Sequence, residues 1–184
     1  VAYTIFTSGS TGKPKGVEIT CGNLSSFLDN MLNYFSLNPG YTSAQIHPLS
    51  FDFSVFQVFF PIITGGVNCV ISEEEIYCPS DFITREKINL WSSVPTIAEM
   101  MNKLDALEPG SFPSIQHSCF CGEPLTQLLA SAWKMAAPNS TVENYYGPTE
   151  TTVFVSRYVA SEFTEIERSP SIVPIGKPFL DHEI

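Results

Sequence analysis

Two kinds of apolar pattern alternate along this chain, and the alternation restricts the fold more than any other feature. Short apolar runs typical of strands lie at 1–6, 67–71, 88–94, 115–121 and 141–145, and the first of them is expected to be buried. Between them, apolar residues recur at helical spacing after Asn23, which we expect to cap a helix, and again after Pro95 and Glu123. Strands that alternate with helices of about 10–15 residues indicate an α/β domain. The sequence therefore predicts a mostly parallel sheet flanked by helices.

Two segments are harder to interpret. The stretch FDFSVFQVFF at 51–60 fits both strand alternation and a helical set, and we favour a helix that ends at Pro61. The Pro-spaced stretch 169–178 is expected to be an irregular connection or the start of another lobe. Three leucines of the helical stripes are also expected to face the core, namely Leu32, Leu104 and Leu128.

Composition excludes several classes of protein. With 43% hydrophobic and 12% aromatic residues in 184, the chain is not intrinsically disordered. No run reaches the roughly 18 apolar residues of a membrane-spanning helix. Membrane insertion is therefore not expected. A formal net charge of −10 leaves no basic surface for nucleic acid, so no nucleic-acid partner is expected either. Five cysteines without a C-x-x-C pair argue against a disulfide framework and structural zinc, which favours the reducing cytoplasm.

The segment TSGSTGKPKG at 7–16 has the composition of a phosphate-binding loop. It holds three glycines, four hydroxyl side chains and two lysines, directly after the first predicted strand. Glycines let backbone N–H groups converge on an anion, and hydroxyls and lysines supply donors and charge. A Walker A loop would need Gly in place of Thr7 and Ser or Thr in place of Pro14, so that type is excluded. We expect a flexible loop without regular structure that closes over a polyphosphate.

Three motifs together resemble the adenylate-forming superfamily. YTIFTSGSTGKPKGV at 3–17 is similar to its phosphate loop, FCGEPL at 120–125 to its G-G-E-x-L turn, and NYYGPTE at 144–150 to its Y-G-x-T-E motif. The order and spacing of the motifs match as well. The resemblance covers essentially all of 1–184, but only the middle of such an enzyme. We therefore expect a central fragment of the AMP-binding N-terminal domain, without its N-terminal portion and without the C-terminal lobe.

The resemblance implies a site for ATP and Mg²⁺. Thr149 would bond the α-phosphate and Glu150 would bind Mg²⁺, which makes these two the catalytic residues. Tyr146 would stack on the adenine. The residues implied to contact the nucleotide are Thr7, Ser8, Thr11 and Lys15 in the phosphate loop, Gly122, Glu123 and Pro124 in one adenine wall, and Asn144, Tyr145, Tyr146, Gly147 and Pro148 in the other.

Asp52 and Cys121 indicate a branch of the superfamily. FDFS at 51–54 resembles the segment of amino-acid-activating members in which an Asp pairs with the substrate's α-ammonium group. An acid buried unpaired among phenylalanines would be costly, so a cationic ligand accounts for it; an Asp exposed at a helix start is the alternative. Cys121 replaces the first Gly of the turn, as in ligases that activate D-alanine, although a buried structural Cys is the alternative. By the same match, Gly147 and Val153 would line the substrate pocket.

The function implied is ATP-dependent adenylation of an amino acid, with D-alanine favoured, followed by transfer to the phosphopantetheine thiol of a carrier protein. Three alternatives remain: another amino-acid adenylation domain of a peptide synthetase, an acyl-CoA synthetase, or a nucleotide-binding module without turnover. The superfamily also uses a ribose-binding Asp and a catalytic Lys, and we expect neither within 1–184. The sequence around Lys177 resembles the linker that precedes the ribose-binding motif in the superfamily, so we do not assign Lys177 the catalytic role. The fragment alone is therefore expected to be inactive.

Overall fold

A computed structural model describes residues 1–8, 12–160 and 171–179. The strands in these ranges are β1 (Tyr3–Ser8), β2 (Pro14–Ile19), β3 (Thr42–Gln45), β4 (Val67–Val70), β5 (Leu90–Ser93), β6 (His117–Phe120), β7 (Thr141–Tyr146), β8 (Ser156–Val159) and β9 (Lys177–Pro178). The helices are α1 (Cys21–Tyr34), α2 (Phe53–Thr64), α3 (Ser80–Arg85), α4 (Pro95–Lys103) and α5 (Gln127–Ala136), with short 3₁₀ turns at Glu75–Tyr77 and Thr149–Thr151.

Seven of the strands form one sheet in the order β4-β3-β5-β6-β7-β8-β9. The pairs from β4 to β7 are all parallel, whereas β8 pairs antiparallel to β7 and β9 antiparallel to β8. The register sets Cys119 opposite Glu143, and Tyr145 opposite Arg157. The predicted α/β class with a mostly parallel sheet is confirmed.

Helices cover both faces of this sheet. One core lies between the sheet and α3, α4 and α5, and its largest buried side chains are Trp91 and Trp133, stacked with ring centroids 5.6 Å apart. The other lies between the sheet and α1 and α2 and consists mainly of aromatic rings. Neighbouring residues of β6 and β7 therefore face different cores, as the pleat of a strand requires. None of the helices in the described ranges is long and apolar enough to span a bilayer.

The N-terminal hairpin differs from its prediction. β1 is not a buried strand, because it pairs only with β2 in a separate two-stranded sheet, and Phe6 is 69% exposed. The predicted irregular loop is also too long, since Thr7 and Ser8 belong to β1 and Lys15 belongs to β2. A hairpin with only one face packed against the domain explains the mixed exposure of this apolar segment.

Several helix boundaries also differ. Thr20, not Asn23, caps α1: its hydroxyl accepts from the Asn23 N–H at 3.1 Å, while the Asn23 side chain accepts from the Thr20 N–H. The predicted helix at 51–60 is confirmed as α2, but it continues past Pro61 and ends at Thr64, with Gly65 as its C-cap. Pro61 lies in the last turn, where its carbonyl still accepts from the N–H groups of Gly65 and Gly66.

Some elements have no signal in the sequence pattern. β3 has the sequence TSAQ and α3 has only six residues, so neither shows a recognisable periodicity of apolar residues. β8 and β9 were not predicted either, and β9 lies within the stretch expected to be irregular. Three leucines expected in the core are 45–59% exposed, namely Leu32, Leu104 and Leu128. Leu104 is the C-cap that follows α4, and Leu32 and Leu128 lie on helix faces that turn towards solvent.

Gly176 provides a test of the packing between β8 and the chain that precedes β9. Its φ is +78°, and a Cβ built on it would lie 1.7 Å from the carbonyl oxygen of Arg157. Gly40 has a similar φ of +81° but open space around it. We predict that Gly40→Ala lowers the free energy of unfolding by about 1–2 kcal/mol. Gly176→Ala should cost at least about 2 kcal/mol more, because the backbone must also move. Urea denaturation measures both variants, and equal losses would contradict this account.

Candidate active site

The carboxyl ends of β5, β6 and β7 meet at one edge of the sheet, where open α/β sheets bind their ligands. A cleft of about 340 Å³ opens there. It is lined by Gly122, Glu123, Pro124, Asn144, Tyr145, Tyr146, Gly147, Pro148, Ile172, Val173 and Ile175. The structure thus brings together the two segments expected to form the adenine slot. Their role in binding a base stays a prediction.

Three apolar residues of the cleft were not predicted from the sequence to belong to the site. Ile172, Val173 and Ile175 come from the stretch expected to be irregular. The Asn144 side chain holds this stretch in place, since its amide donates to the carbonyls of Val173 and Pro174 at 3.1 and 3.0 Å. The only signal in the sequence is three apolar residues close together among prolines, which does not indicate a wall.

The rings of the two tyrosines in the cleft lie in different environments, one exposed and one buried. Tyr146 is 45% exposed, so its ring is accessible to a ligand. Tyr145 is buried in the aromatic core below, with its ring centroid 4.7 Å from that of Phe154. Of the two rings, only that of Tyr146 is available for stacking from the solvent side.

Glu123 has a structural role within the cleft wall. Its carboxylate accepts from the backbone N–H of Thr96 at 3.0 Å and from the Thr96 hydroxyl. Thr96 lies in the first turn of α4, which begins at Pro95 and has no side-chain cap of its own. Glu123 therefore supplies the missing acceptor at the N-terminus of α4 and joins the turn after β6 to that helix.

Asp52 lies at the start of α2 but does not behave as an exposed helix cap. It is 6% exposed, and its side chain makes no capping hydrogen bond. Burial raises the pKa of the Asp52 carboxyl, an interaction with the Thr149 side chain opposes the rise, and the nearby Glu150 charge adds to it. The structure therefore places Asp52, Thr149 and Glu150 together, although they are about a hundred residues apart in the sequence.

Cys121 lies beside Asp52 on the same side of the sheet. Burial raises the pKa of its thiol to about 12, with a further contribution from the Asp52 charge. The thiol is therefore protonated and poorly nucleophilic at neutral pH, so Cys121 can only act through its size and shape. It is both a buried core residue and a neighbour of Asp52, which leaves both sequence interpretations open.

Gly147 and Val153 pack closely where the chain turns between β7 and β8. A Cβ on Gly147 would lie 2.4 Å from the Phe154 Cα and 2.6 Å from the Val153 carbonyl oxygen, so only glycine fits. Thr152 and Val153 have φ values of 68° and 69°, which are strained for β-branched residues. Strain of this kind is common at ligand sites. The turn is thus fixed next to Asp52.

Three residues of the predicted phosphate loop, Thr7, Ser8 and Lys15, lie in the strands of the hairpin. Thr7 and Ser8 end β1, Lys15 lies opposite Thr7 in β2, and the Thr7 hydroxyl approaches the Lys15 carbonyl at 3.5 Å. β2 packs against the Thr149–Thr151 turn, which brings the hairpin to the same edge as Glu150. Thr11 lies outside the described residues.

The described residues hold no group of three His, Cys, Asp or Glu side chains that could bind a metal ion on their own. Glu150 is exposed, so one carboxylate is available beside Thr149. Such a donor set fits Mg²⁺, which is usually held by one or two carboxylates together with substrate phosphates and water.

Residues 1–184 match the protein family described as AMP-binding enzyme. The chain belongs to the AMP-binding enzyme family. Among its relatives, the D-alanine--D-alanyl carrier protein ligase of Bacillus velezensis is 35% identical over 182 residues, which are 97% of this chain and 36% of that ligase. The ligase of the same name from Staphylococcus haemolyticus is 36% identical over 181 residues, with the same coverage. This AMP-binding chain thus spans about a third of the length of the curated relatives it matches.

Solved structures of the family have the same fold. The Vibrio cholerae adenylation domain AlmE, in complex with glycyl-adenosine-5'-phosphate, superposes with a TM-score of 0.90 and 36% identity. That match covers 97% of this chain and 33% of the AlmE chain. IdnL7 has a TM-score of 0.86 and 32% identity, over 96% of this chain and 36% of its own.

The capping contact of Glu123 can be tested without any ligand. We predict that Glu123→Ala lowers the free energy of unfolding by about 1 kcal/mol, the usual cost of a lost helix cap. Glu123→Gln keeps one acceptor oxygen and should lose clearly less. Urea denaturation in the absence of nucleotide measures both. If Glu123→Gln is as unstable as Glu123→Ala, or neither differs from the unmodified protein, the carboxylate does not cap α4.

Proposed function

We propose that the protein containing this chain activates a small amino acid with ATP and passes it to a carrier protein. In the first step a carboxylate oxygen of the amino acid attacks the α-phosphorus of ATP, and the bond to pyrophosphate breaks. In the second step a phosphopantetheine thiol on the carrier attacks the acyl carbon, and AMP leaves. D-alanine is the favoured substrate, and we propose the cytoplasm as the compartment, where free thiols such as the five cysteines here are stable.

The environment of Asp52 is the observation that carries this proposal. Its carboxylate is buried, and no Lys, Arg or His side chain in the described ranges forms an ion pair with it. A buried carboxylate without a positively charged partner is costly even when the Thr149 side chain interacts with it, and the α-ammonium group of an amino acid would supply the missing charge. The fatty-acid substrates of an acyl-CoA synthetase carry no such cation, which disfavours that alternative.

The neighbours of Asp52 support the position of the reaction. Thr149 and Glu150 lie beside it, and the cleft with the exposed Tyr146 ring adjoins them. We assign the adenine to the cleft, the α-phosphate to Thr149, and the outer phosphates to Thr7, Ser8, Thr11 and Lys15. An amino acid held at Asp52 would then present its carboxylate to the α-phosphate, and this alignment supplies much of the rate enhancement.

Glu150 is the residue that would hold Mg²⁺, beside the α-phosphate bound by Thr149. When bound, Mg²⁺ would neutralise charge on the phosphates and on the leaving pyrophosphate. In a chain with a net charge of −10, the nucleotide also needs local positive charge, and Lys15 on the adjacent hairpin strand supplies it.

Glycine is the main alternative to D-alanine as the proposed substrate. The two carrier protein ligases and AlmE are similarly close in identity, at 35–36%, and AlmE was crystallised with glycyl-adenosine-5'-phosphate. Both candidate substrates have a side chain no larger than a methyl group.

Amino-acid-dependent exchange of pyrophosphate into ATP tests the proposal in the full natural chain that contains residues 1–184. We predict exchange with D-alanine and with no fatty acid. L-alanine, glycine, larger amino acids and medium-chain fatty acids form the panel. D-alanine giving only background exchange would reject it as substrate, and exchange with fatty acids alone would reject amino-acid activation.

Asp52→Asn tests the residue that carries the proposal. The amide has nearly the same size but cannot pair with an ammonium group, so we predict that the KM for the amino acid rises at least about tenfold. The KM for ATP should stay within about twofold, because Asp52 is assigned no contact with the nucleotide. Glu86→Gln, at a surface acid away from the cleft, is the matched control. An unchanged amino-acid KM in Asp52→Asn would remove Asp52 from the substrate site.

A further inference from the structure

The Gln57 side chain joins α2 to the ends of two strands. Its Oε1 accepts from the backbone N–H groups of Ile46 and His47, just after β3, at 3.1 and 3.0 Å. Its Nε2 donates to the carbonyl and hydroxyl oxygens of Ser92 in β5 at 2.8 and 3.0 Å. Gln57 and Ser92 are fully buried, so a broken contact would leave buried polar groups without partners. This amide therefore fixes α2 against the carboxyl ends of β3 and β5.

His47, whose backbone Gln57 holds, packs against the residues on both sides of Asp52. Its ring stacks on that of Phe53, with centroids 5.2 Å apart and an angle of 23° between the planes. It also meets the ring of Phe51 edge to face at 5.1 Å. His47 is almost completely buried, so a smaller side chain would leave a cavity between these rings. The backbone that carries Asp52 thus rests on the His47 ring.

The start of α2 depends on such packing because it has no cap of its own. Asp52 is the N-cap residue, but its side chain makes no capping hydrogen bond. The carboxylate interacts instead with the Thr149 side chain, which lies on the turn after β7 and not on α2. The distance from Asp52 to that turn is therefore determined by how α2 sits against the sheet.

The His47 ring acts through its shape and not through its charge. Its Nε2 is buried, with no hydrogen-bond partner in the part of the chain that the structure describes. Burial lowers the pKa of His47 to about 4, and the nearby Glu123 charge only partly opposes this effect. The ring is therefore neutral at neutral pH, and another planar ring could replace it without the loss of a hydrogen bond.

We propose that Gln57 and His47 are positioning residues that fix the start of α2 against β3 and β5, and thereby hold the Asp52 carboxylate where it receives the substrate's ammonium group. This inference rests on the proposed function, because it assumes that Asp52 binds the amino acid. It adds two residues that act through Asp52 and need not touch the substrate themselves.

The expected effect is large for residues outside the reaction. A displacement of about 1 Å caused by a mutation far from the chemistry can lower a rate about a hundredfold. A merely structural role would instead reduce the amount of folded protein. That loss lowers the apparent kcat but leaves the KM of the remaining folded enzyme unchanged.

Three variants of the full natural chain test the two residues. His47→Ala removes the ring but leaves the backbone N–H bonded to Gln57, whereas His47→Phe keeps a ring between Phe51 and Phe53. Gln57→Leu has a similar size and removes all four hydrogen bonds of the amide. Pyrophosphate exchange with D-alanine and, in parallel, with glycine gives kcat and KM for the amino acid and for ATP.

Asn89 provides a matched control, because it makes a similar amide bridge at the opposite edge of the sheet. Its Oδ1 accepts from the backbone N–H of Thr42, the first residue of β3, at 3.0 Å. Its Nδ2 donates to the Ser114 carbonyl, before β6, at 3.0 Å. Asn89→Leu therefore breaks a bridge between strand ends that lies away from Asp52, and it should leave the KM for the amino acid unchanged.

We expect the KM for the amino acid to rise at least about fivefold in His47→Ala and in Gln57→Leu. In His47→Phe it should stay within about twofold, and the pH profile of kcat/KM between pH 6 and 9 should not change. The Phe51 ring also packs against Gly122 in the wall of the nucleotide cleft. A smaller rise in the KM for ATP, up to about threefold, is therefore expected in His47→Ala.

A double-mutant cycle with Asp52→Asn shows whether the effect passes through Asp52. In the Asp52→Asn background, His47→Ala should raise the KM for the amino acid by no more than about twofold, since the carboxylate that it positions is already lost. The smaller effect on the KM for ATP should persist, because Phe51 reaches the cleft wall without Asp52.

Several results would overturn the inference alone, given exchange in the unmodified protein. They are an unchanged KM for the amino acid in His47→Ala, whether or not Gln57→Leu folds, and a rise of the same size in the Asp52→Asn background or in Asn89→Leu. A changed pH profile in His47→Phe would also overturn it, because His47 would then transfer a proton. Exchange with no amino acid in the unmodified protein would overturn the proposed function, and the inference with it.

Discussion

The parallel pairing of β3, β5, β6 and β7 determines where reactive side chains can lie in this protein. Because parallel strands all end at the same edge, the segments that follow β6 and β7 meet there and form the cleft. The start of α2 reaches the same edge and brings Asp52 to the Thr149–Thr151 turn. Each element contributes a short segment, and only the sheet brings these segments together.

Two buried acids on one face of the sheet differ in whether another side chain of the protein balances their charge. Glu143 is paired with Arg157 and hydrogen bonded by Tyr145, so its charge is balanced within the fold. Asp52 is similarly buried, but no cationic side chain in the described ranges pairs with it. A carboxylate in that state favours a cationic ligand, since binding would recover the energy lost on burial. The contrast between the two acids supports the assignment of Asp52 to substrate.

Periodicity in the sequence predicted most of the helices and most of the parallel strands. The helix after residue 23, the helix at 51–60 and the strands at 67–71, 88–94, 115–121 and 141–145 all have counterparts in the structure. The hairpin was predicted incorrectly, because Phe6 and its neighbours look apolar but pack on one side only. β3 and β9 could not be predicted, since TSAQ and a Lys-Pro pair become strands only by pairing with neighbours. The motifs placed the cleft walls near each other, whereas the wall of Ile172, Val173 and Ile175 depends on a tertiary contact with Asn144.

The most direct measurement of the central claim is a crystal structure of the full natural chain with a non-hydrolysable D-alanyl adenylate analogue. The account predicts the adenine in the cleft against Tyr146, and the analogue's ammonium nitrogen within about 3 Å of the Asp52 carboxylate. It also predicts the analogue's methyl group directed towards Cys121. An adenine bound elsewhere, or an ammonium group turned away from Asp52 while that carboxylate stays buried and unpaired, would contradict it.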